Sequence, residues 1–210
     1  MTGLRSRRRI YGGISADERA IARKQRFIDA GKTVFGKLGF QAAGVRDVCI
    51  AAELTERYYY EAFGSMPKLF EAVYLEALDD LRQVLEEAAL RFPEDPETQL
   101  RSMISSYFDL LKRDRCLARI LIIEIYGAAP AVNSLYKLGV RQFAAQIETI
   151  VASNALIAKP LDGKLVAIAL VGATSALAMN WYLSGYKQPV SVMAENCFAI
   201  FAGVLRTLHL

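Results

Sequence analysis

Histidine is almost absent from this chain. Its one copy, His209, stands next to the C-terminus of 210 residues. Acid–base chemistry would therefore have to rest on carboxylates or tyrosines alone. No Ser-His-Asp set, P-loop or glycine-rich phosphate motif is present either. Cysteine is scarce and odd in number: Cys49, Cys116 and Cys197 are scattered, and no pair has the spacing of metal ligands. This argues against a disulfide framework and a metal centre. The expectation is three small buried thiols in a reducing cytoplasm, with a thiol sensor as the alternative. Nothing reads as a signal peptide, because the basic run Arg5, Arg7, Arg8, Arg9 leads into Ile10-Tyr11-Gly12-Gly13 and not into an apolar stretch. Strand-like alternation, internal repeats and low-complexity tracts are all missing. One run, 165–179 (LVAIALVGATSALAM), lacks charge. It stops short of the roughly 20 residues a spanning helix needs. A helix buried on nearly all sides by protein fits it better than a membrane span.

What is present is apolar and unevenly charged. Hydrophobic residues make up 53% of the chain, enough for a large core. Residues 1–68 carry 13 Lys and Arg against 7 Asp and Glu, whereas residues 69–210 carry 13 against 15. The basic excess is confined to the N-terminal third, as a phosphate-binding surface requires.

Apolar spacing predicts an all-α fold of about nine helices. The first runs from 16 to 38, with Phe27, Ala30, Val34, Phe35 and Leu38 inward and Gly39 as its stop. Short helices follow at 45–52 and 56–62. After Gly64, Ser65 as N-cap and Pro67 in the first turn open a long helix to about 91. Its inward positions are Leu69, Phe70, Val73, Leu78, Leu81 and Leu85. Phe92 to Pro96 is a loop. Further helices are predicted to about 112, from 114 to near 127, from 130 to about 156, over 164–184 and over 190–208.

Residues 45–63, VRDVCIAAELTERYYYEAF, carry the functional signal. Val45, Val48 and Ala52 give one apolar face, Glu53-Leu54 interrupts it, and Thr55 is a suitable N-cap for a second helix. On that helix Tyr59 and Phe63 point one way, while Arg57, Tyr58 and Tyr60 fall largely off that face. Helix, short turn and capped helix with exposed Arg and Tyr is a helix-turn-helix whose second helix enters the major groove. Arg57 suits base reading, since a guanidinium donates two hydrogen bonds to guanine. Tyr59 belongs to the core.

Residues 27–73 resemble the TetR family of bacterial transcriptional repressors, in the segments FIDAGKTVFGKLGF and VRDVCIAAELTERYYYEAF and in the helix start from Ser65 to Val73. The spacing from Phe35 through Gly39, Val48, Ala52, Tyr60 and Phe63 to Leu69 follows the family pattern without a gap. The rest of the chain matches in helix count and length. The resemblance implies a DNA-binding domain over 16–66 behind a basic flexible arm (1–15), and an effector-binding and dimerisation domain over 67–210. It makes Arg46 and Tyr60 phosphate contacts, and places Thr55, Glu56, Arg57 and Tyr58 on the exposed first turn of the recognition helix. Three positions depart from the family. Glu53 holds the turn position of a glycine, Gly44 replaces a hydroxyl residue, and Met66 replaces a lysine whose charge Lys68 could supply.

The resemblance also places an effector pocket among the fourth to eighth helices. Candidate residues are Tyr107, Glu124, Tyr126, Asn180 and Trp181. Glu124, inside an apolar run, needs a partner, either Arg119 or a cationic ligand. The last two helices are too apolar for one chain to cover, which predicts a homodimer interface through Gly172, Ala176, Phe198, Phe201 and Leu205. The resulting expectation is a cytoplasmic, non-enzymatic, homodimeric repressor, released from a palindromic DNA operator by a small molecule, with no cofactor, metal or membrane. The alternatives are a helical small-molecule-binding or enzymatic bundle with an incidental helix-turn-helix, and an adaptor without a ligand.

Overall fold

The computed structural model describes residues 15–127, 133–153 and 162–207. The basic arm and His209 lie outside them, as does the side chain of Leu205. Among the described residues there are nine helices and no strand. They are α1 (Ala16–Leu38), α2 (Val45–Ala52), α3 (Glu56–Ala62), α4 (Met66–Leu90), α5 (Pro96–Arg113), α6 (115–127), α7 (Asn133–Ser153), α8 (Gly163–Leu183) and α9 (Val190–Thr207). Helix α6 is not uniform: Arg115–Arg119 is α-helical, Ile120–Glu124 widens into a π-helical turn, and Ile125–Gly127 closes it.

Several helix starts follow from side-chain oxygens that meet free amides. The Ser15 hydroxyl accepts from the Glu18 N–H at 3.1 Å, and the Glu18 carboxylate accepts from the Ser15 N–H, which makes a capping box. The hydrogen bonds to Glu18 from Ser15 hold that carboxyl below its ordinary range. Asp95 caps α5, Asp114 caps α6 and Asp162 caps α8 in the same way. Thr55 and Ser65 sit at the N-cap positions of α3 and α4 as expected, but neither side chain bonds the helix amides.

One contiguous buried cluster runs from Phe27 on α1 to Phe201 on α9, so the N-terminal helices and the rest of the chain share a core. Helix α1 packs on α2, α3, α4 and α6. Its contact with α6 is close because Gly36 has no side chain: a Cβ there would collide with the backbone and Cβ of Cys116. Leu38 was expected inward but is half exposed. The end of α1 is closed instead by Arg119 from α6. Helix α7 pairs with α8, and α9 lies on α5. Cys49 and Cys197 are buried, and Cys116 is partly so.

Helix α8 corrects a second expectation. It is long and apolar enough to cross a membrane by length and composition, and 28% of its most apolar window is buried in the chain. It is therefore not covered on nearly all sides by its own protein. Leu165, Ala169, Gly172, Ala176, Asn180 and Leu183 recur three or four apart and are all exposed, so one whole face is open.

Candidate DNA-binding surface and effector cavity

Helices α2 and α3 meet through a turn in which Glu53 adopts φ 52° and ψ 42°. A left-handed conformation costs a non-glycine residue about 1 kcal/mol or more. The turn keeps the geometry a glycine would favour, and the Glu53 carboxylate meets Arg26 at 3.2 Å on the surface. At the start of α2 Gly44 lacks a hydroxyl, and Asp47 compensates by reaching back to accept the Gly44 N–H at 2.9 Å.

The seven side chains expected at DNA all lie on the outside: Arg46 on α2, Thr55, Glu56, Arg57, Tyr58 and Tyr60 at and on α3, and Lys68 on the first turn of α4. Tyr59 is fully buried, with its ring edge-on to Phe27 at 5.7 Å and tilted against Phe63 at 6.2 Å. That packing turns its neighbours outward at 100° per residue. The Arg57 Nε donates to Glu61 Oε1 at 2.9 Å, and the Arg57 side chain is 84% exposed. So exposed a pair contributes little and releases readily. Arg23 lies over the Tyr58 ring at 4.6 Å and Lys24 over Phe63 at 5.8 Å. These α1 cations escaped the sequence reading, since only their place beside α3 marks them.

A cavity opens between α4, α5, α6, α7, α8 and α9. Together with its open mouth, solvent space included, it holds about 930 Å³ free of protein atoms. Its wall is mainly aliphatic and aromatic, with the polar groups of Tyr74, Tyr107, Tyr126, Tyr136, Gln146, Thr174 and Ser175. Burial raises the pKa of the Tyr74 and Tyr107 hydroxyls. Burial, and then a hydrogen bond with Tyr136, pushes that of Tyr126 up to about 12. These hydroxyls are neutral at ordinary pH.

Of the five effector candidates, Tyr107 and Tyr126 line this cavity, and Glu124, Asn180 and Trp181 do not. Trp181 is buried elsewhere, with its indole N–H donating to the Gln188 carbonyl at 3.0 Å and its ring edge-on to Phe108 and Tyr186. Asn180 lies on the open face of α8. Glu124 is spent on structure. Its Oε1 accepts from Arg119 Nε at 2.7 Å, and its Oε2 accepts from the Phe40 N–H at 2.7 Å. Arg119 in turn donates to the carbonyls of Lys37 and Leu38 at 2.8 and 3.4 Å. The pair thus caps the C-terminus of α1, where the last carbonyls have no helical partner. Gly39 makes room for it at φ 86°: a Cβ there would lie 2.5 Å from the guanidinium. The same π-helical turn sends Leu121 and Ile122 into the cavity wall.

Among the expected dimer residues, Gly172 and Ala176 lie on the open face of α8. Phe198 and Phe201 face inward instead. Phe198 lies beneath the Arg101 guanidinium at 3.6 Å, and Phe201 lines the cavity. The outward face of α9 is formed by Val192, Asn196, Ala199, Ile200 and Gly203.

No protein-family model matches the sequence. Solved structures do. A TetR-like transcriptional regulator from Rhodococcus sp. RHA1 superposes with a TM-score of 0.69 at 22% identity, over 94% of this chain and 99% of that one. FadR from Bacillus subtilis, a transcriptional regulator solved in complex with stearoyl-CoA, gives 0.71 at 16% identity, over 84% and 96%. This chain has the TetR-family fold. At the level of sequence it is 23% identical over 159 residues to the HTH-type transcriptional activator FasR of Mycolicibacterium smegmatis, spanning 76% of this chain and 72% of that protein. Within this fold the short helices α2 and α3 meet through a tight turn, and the cavity lies among α4 to α9.

Proposed function

We propose that this protein is a cytoplasmic DNA-binding transcriptional regulator, acting as a homodimer whose DNA affinity changes when a small apolar molecule enters the cavity. The observation that carries the reading is the outer face of α3. Tyr59 anchors that helix in the core, and Arg57, Tyr58 and Tyr60 are exposed, as are Arg46 and Lys68. The division follows the sequence reading, with residues 16–66 for DNA and the chain from 67 onward for ligand and partner. Glu56 and Thr55 complete the first turn that meets base edges, and Arg57 leaves Glu61 to read a guanine.

The cavity supports a ligand because it is mainly apolar and is walled by the helix that also caps α1. A ligand that shifts Leu121 and Ile122 acts on the turn that holds Arg119 and Glu124, and through them on the end of α1. The stearoyl-CoA of the Bacillus subtilis FadR complex makes an aliphatic chain a reasonable occupant. The open faces of α8 and α9 suit an isologous four-helix contact between two copies, and their glycines and alanines let the helices approach closely. On the duplex this protein selects, R57A should bind about 5- to 150-fold more weakly, the equivalent of about 1–3 kcal/mol, and relax preference at one base position per half-site. Fluorescence anisotropy reads both, and R57A binding as tightly and selectively as wild type would refute the assignment.

A further inference from the structure

The cavity has a chemical preference that its shape alone does not give. Among the described residues that line it there is no Asp, Glu, Lys, Arg or His. A carboxylate or ammonium drawn inside would lose its hydration and meet no opposite charge, a cost of the kind that makes groups neutralise or stay outside. The polar groups on the wall are neutral hydroxyls and one amide. That amide belongs to Gln146 on α7, and its Oε1 is buried with no hydrogen-bond partner. A buried acceptor left unmet is a standing penalty of the empty protein. A ligand removes it only by bringing a donor. An alkane leaves it in place, and a carboxylate adds a second acceptor beside it.

We infer that the cavity takes a neutral, largely aliphatic molecule that carries a hydroxyl, with the ligand O–H donating to Gln146 Oε1. This rests on the reading of the cavity as the effector site and specifies what enters it. The chain lies against Leu78, Leu81, Leu85 and Ile104. The hydroxyl oxygen retains lone pairs for a donor on the same wall, such as the Tyr74 or Tyr107 hydroxyl, whose pKa burial raises. Selectivity arises because a site with a buried polar group discriminates more strongly by a ligand's polar match than by an added or missing methylene.

Isothermal titration of the full chain with 1-dodecanol, 1-methoxydodecane and dodecanoate tests the inference. The ether keeps the length and the oxygen but lacks the donor, and the acid carries charge. The alcohol should bind at least about tenfold more tightly than either. In Q146L the preference of alcohol over ether should vanish, while the melting temperature of the empty protein stays level or rises, because the unmet acceptor is gone. Should Q146L not fold, the alcohol-to-ether ratio in the wild type decides alone. Ether or dodecanoate binding as tightly as the alcohol overturns the inference and leaves the cavity reading intact, and so does a preference that survives Q146L. Failure of all three to bind overturns both.

Discussion

Tyr59 shows how one buried residue fixes which side chains of α3 face outward. Its ring contacts Phe27, Tyr60 and Phe63, but its hydroxyl is buried and meets no partner. Burial pushes that hydroxyl up to about 12. The ring stabilises the helix-turn-helix, and the oxygen detracts from it. Replacing an unmet buried polar group by an apolar one of the same shape is neutral or stabilising. Y59F should therefore raise stability by up to about 1 kcal/mol, or roughly 2–4 °C in melting temperature for a chain of this size. Calorimetry measures it. A fall in melting temperature would show that the hydroxyl has a partner in solution. DNA affinity should not change, since Tyr59 faces away from the exposed side of α3. The direction was legible in the sequence, because Tyr59 shares a face with Phe63. The unmet hydroxyl was not, because it depends on what Phe27 and its neighbours leave vacant.

At the scale of elements, α6 joins the two halves. Its first turn lies on Gly36 of α1, its π-helical turn lines the cavity through Leu121 and Ile122, and its Arg119–Glu124 pair caps α1. Glu124 is buried and Arg119 is 27% exposed at its side chain, so the loss of one partner is felt but partly relieved by water. E124Q puts an amide N–H₂ where two donors converge. It should lower unfolding stability by about 2–3 kcal/mol and weaken the effect of ligand on DNA binding, with ligand affinity itself nearly kept. Urea unfolding and anisotropy with and without ligand check the two parts, and an unchanged ligand response would remove α6 as the link. Periodicity and caps made the helices themselves legible, from Ala16 at one end to the start of α9 at Val190. Glu124 as a paired structural carboxylate was one of two readings open in the sequence. The cavity was largely hidden. Its wall is defined by side chains from six helices that do not quite meet, and composition cannot distinguish Tyr107, which lines it, from Trp181, which fills a neighbouring site. Phe198 and Phe201 escaped for a simpler reason. Helix α9 is apolar enough on both faces that its phase could not be read, and the aromatic side turned out to be the inner one.

For the whole molecule, the open faces of α8 and α9 set the next expectation. Exposed Leu165, Leu183 and Ile200 flank a strip of Ala169, Gly172, Ala176, Ala199 and Gly203. A Cβ added at Gly172 would meet nothing within 4 Å, so that position has room for a second chain. Contiguous apolar surface of this kind is seldom left to solvent. A176E should give monomers or aggregates by analytical ultracentrifugation and lose binding to a two-half-site duplex. A wild type that sediments as a monomer at micromolar concentration would contradict the paired arrangement.

Two copies related by a two-fold axis present two α3 helices, and their targets must repeat that symmetry, one helical turn or about 34–36 Å apart or a multiple of it. Selection of binding sites from a pool of random duplex DNA by the full chain tests the central claim most directly. The account predicts enrichment of a near-palindromic motif with half-sites at that spacing. A pool that returns no symmetric motif, or none at all, would contradict it.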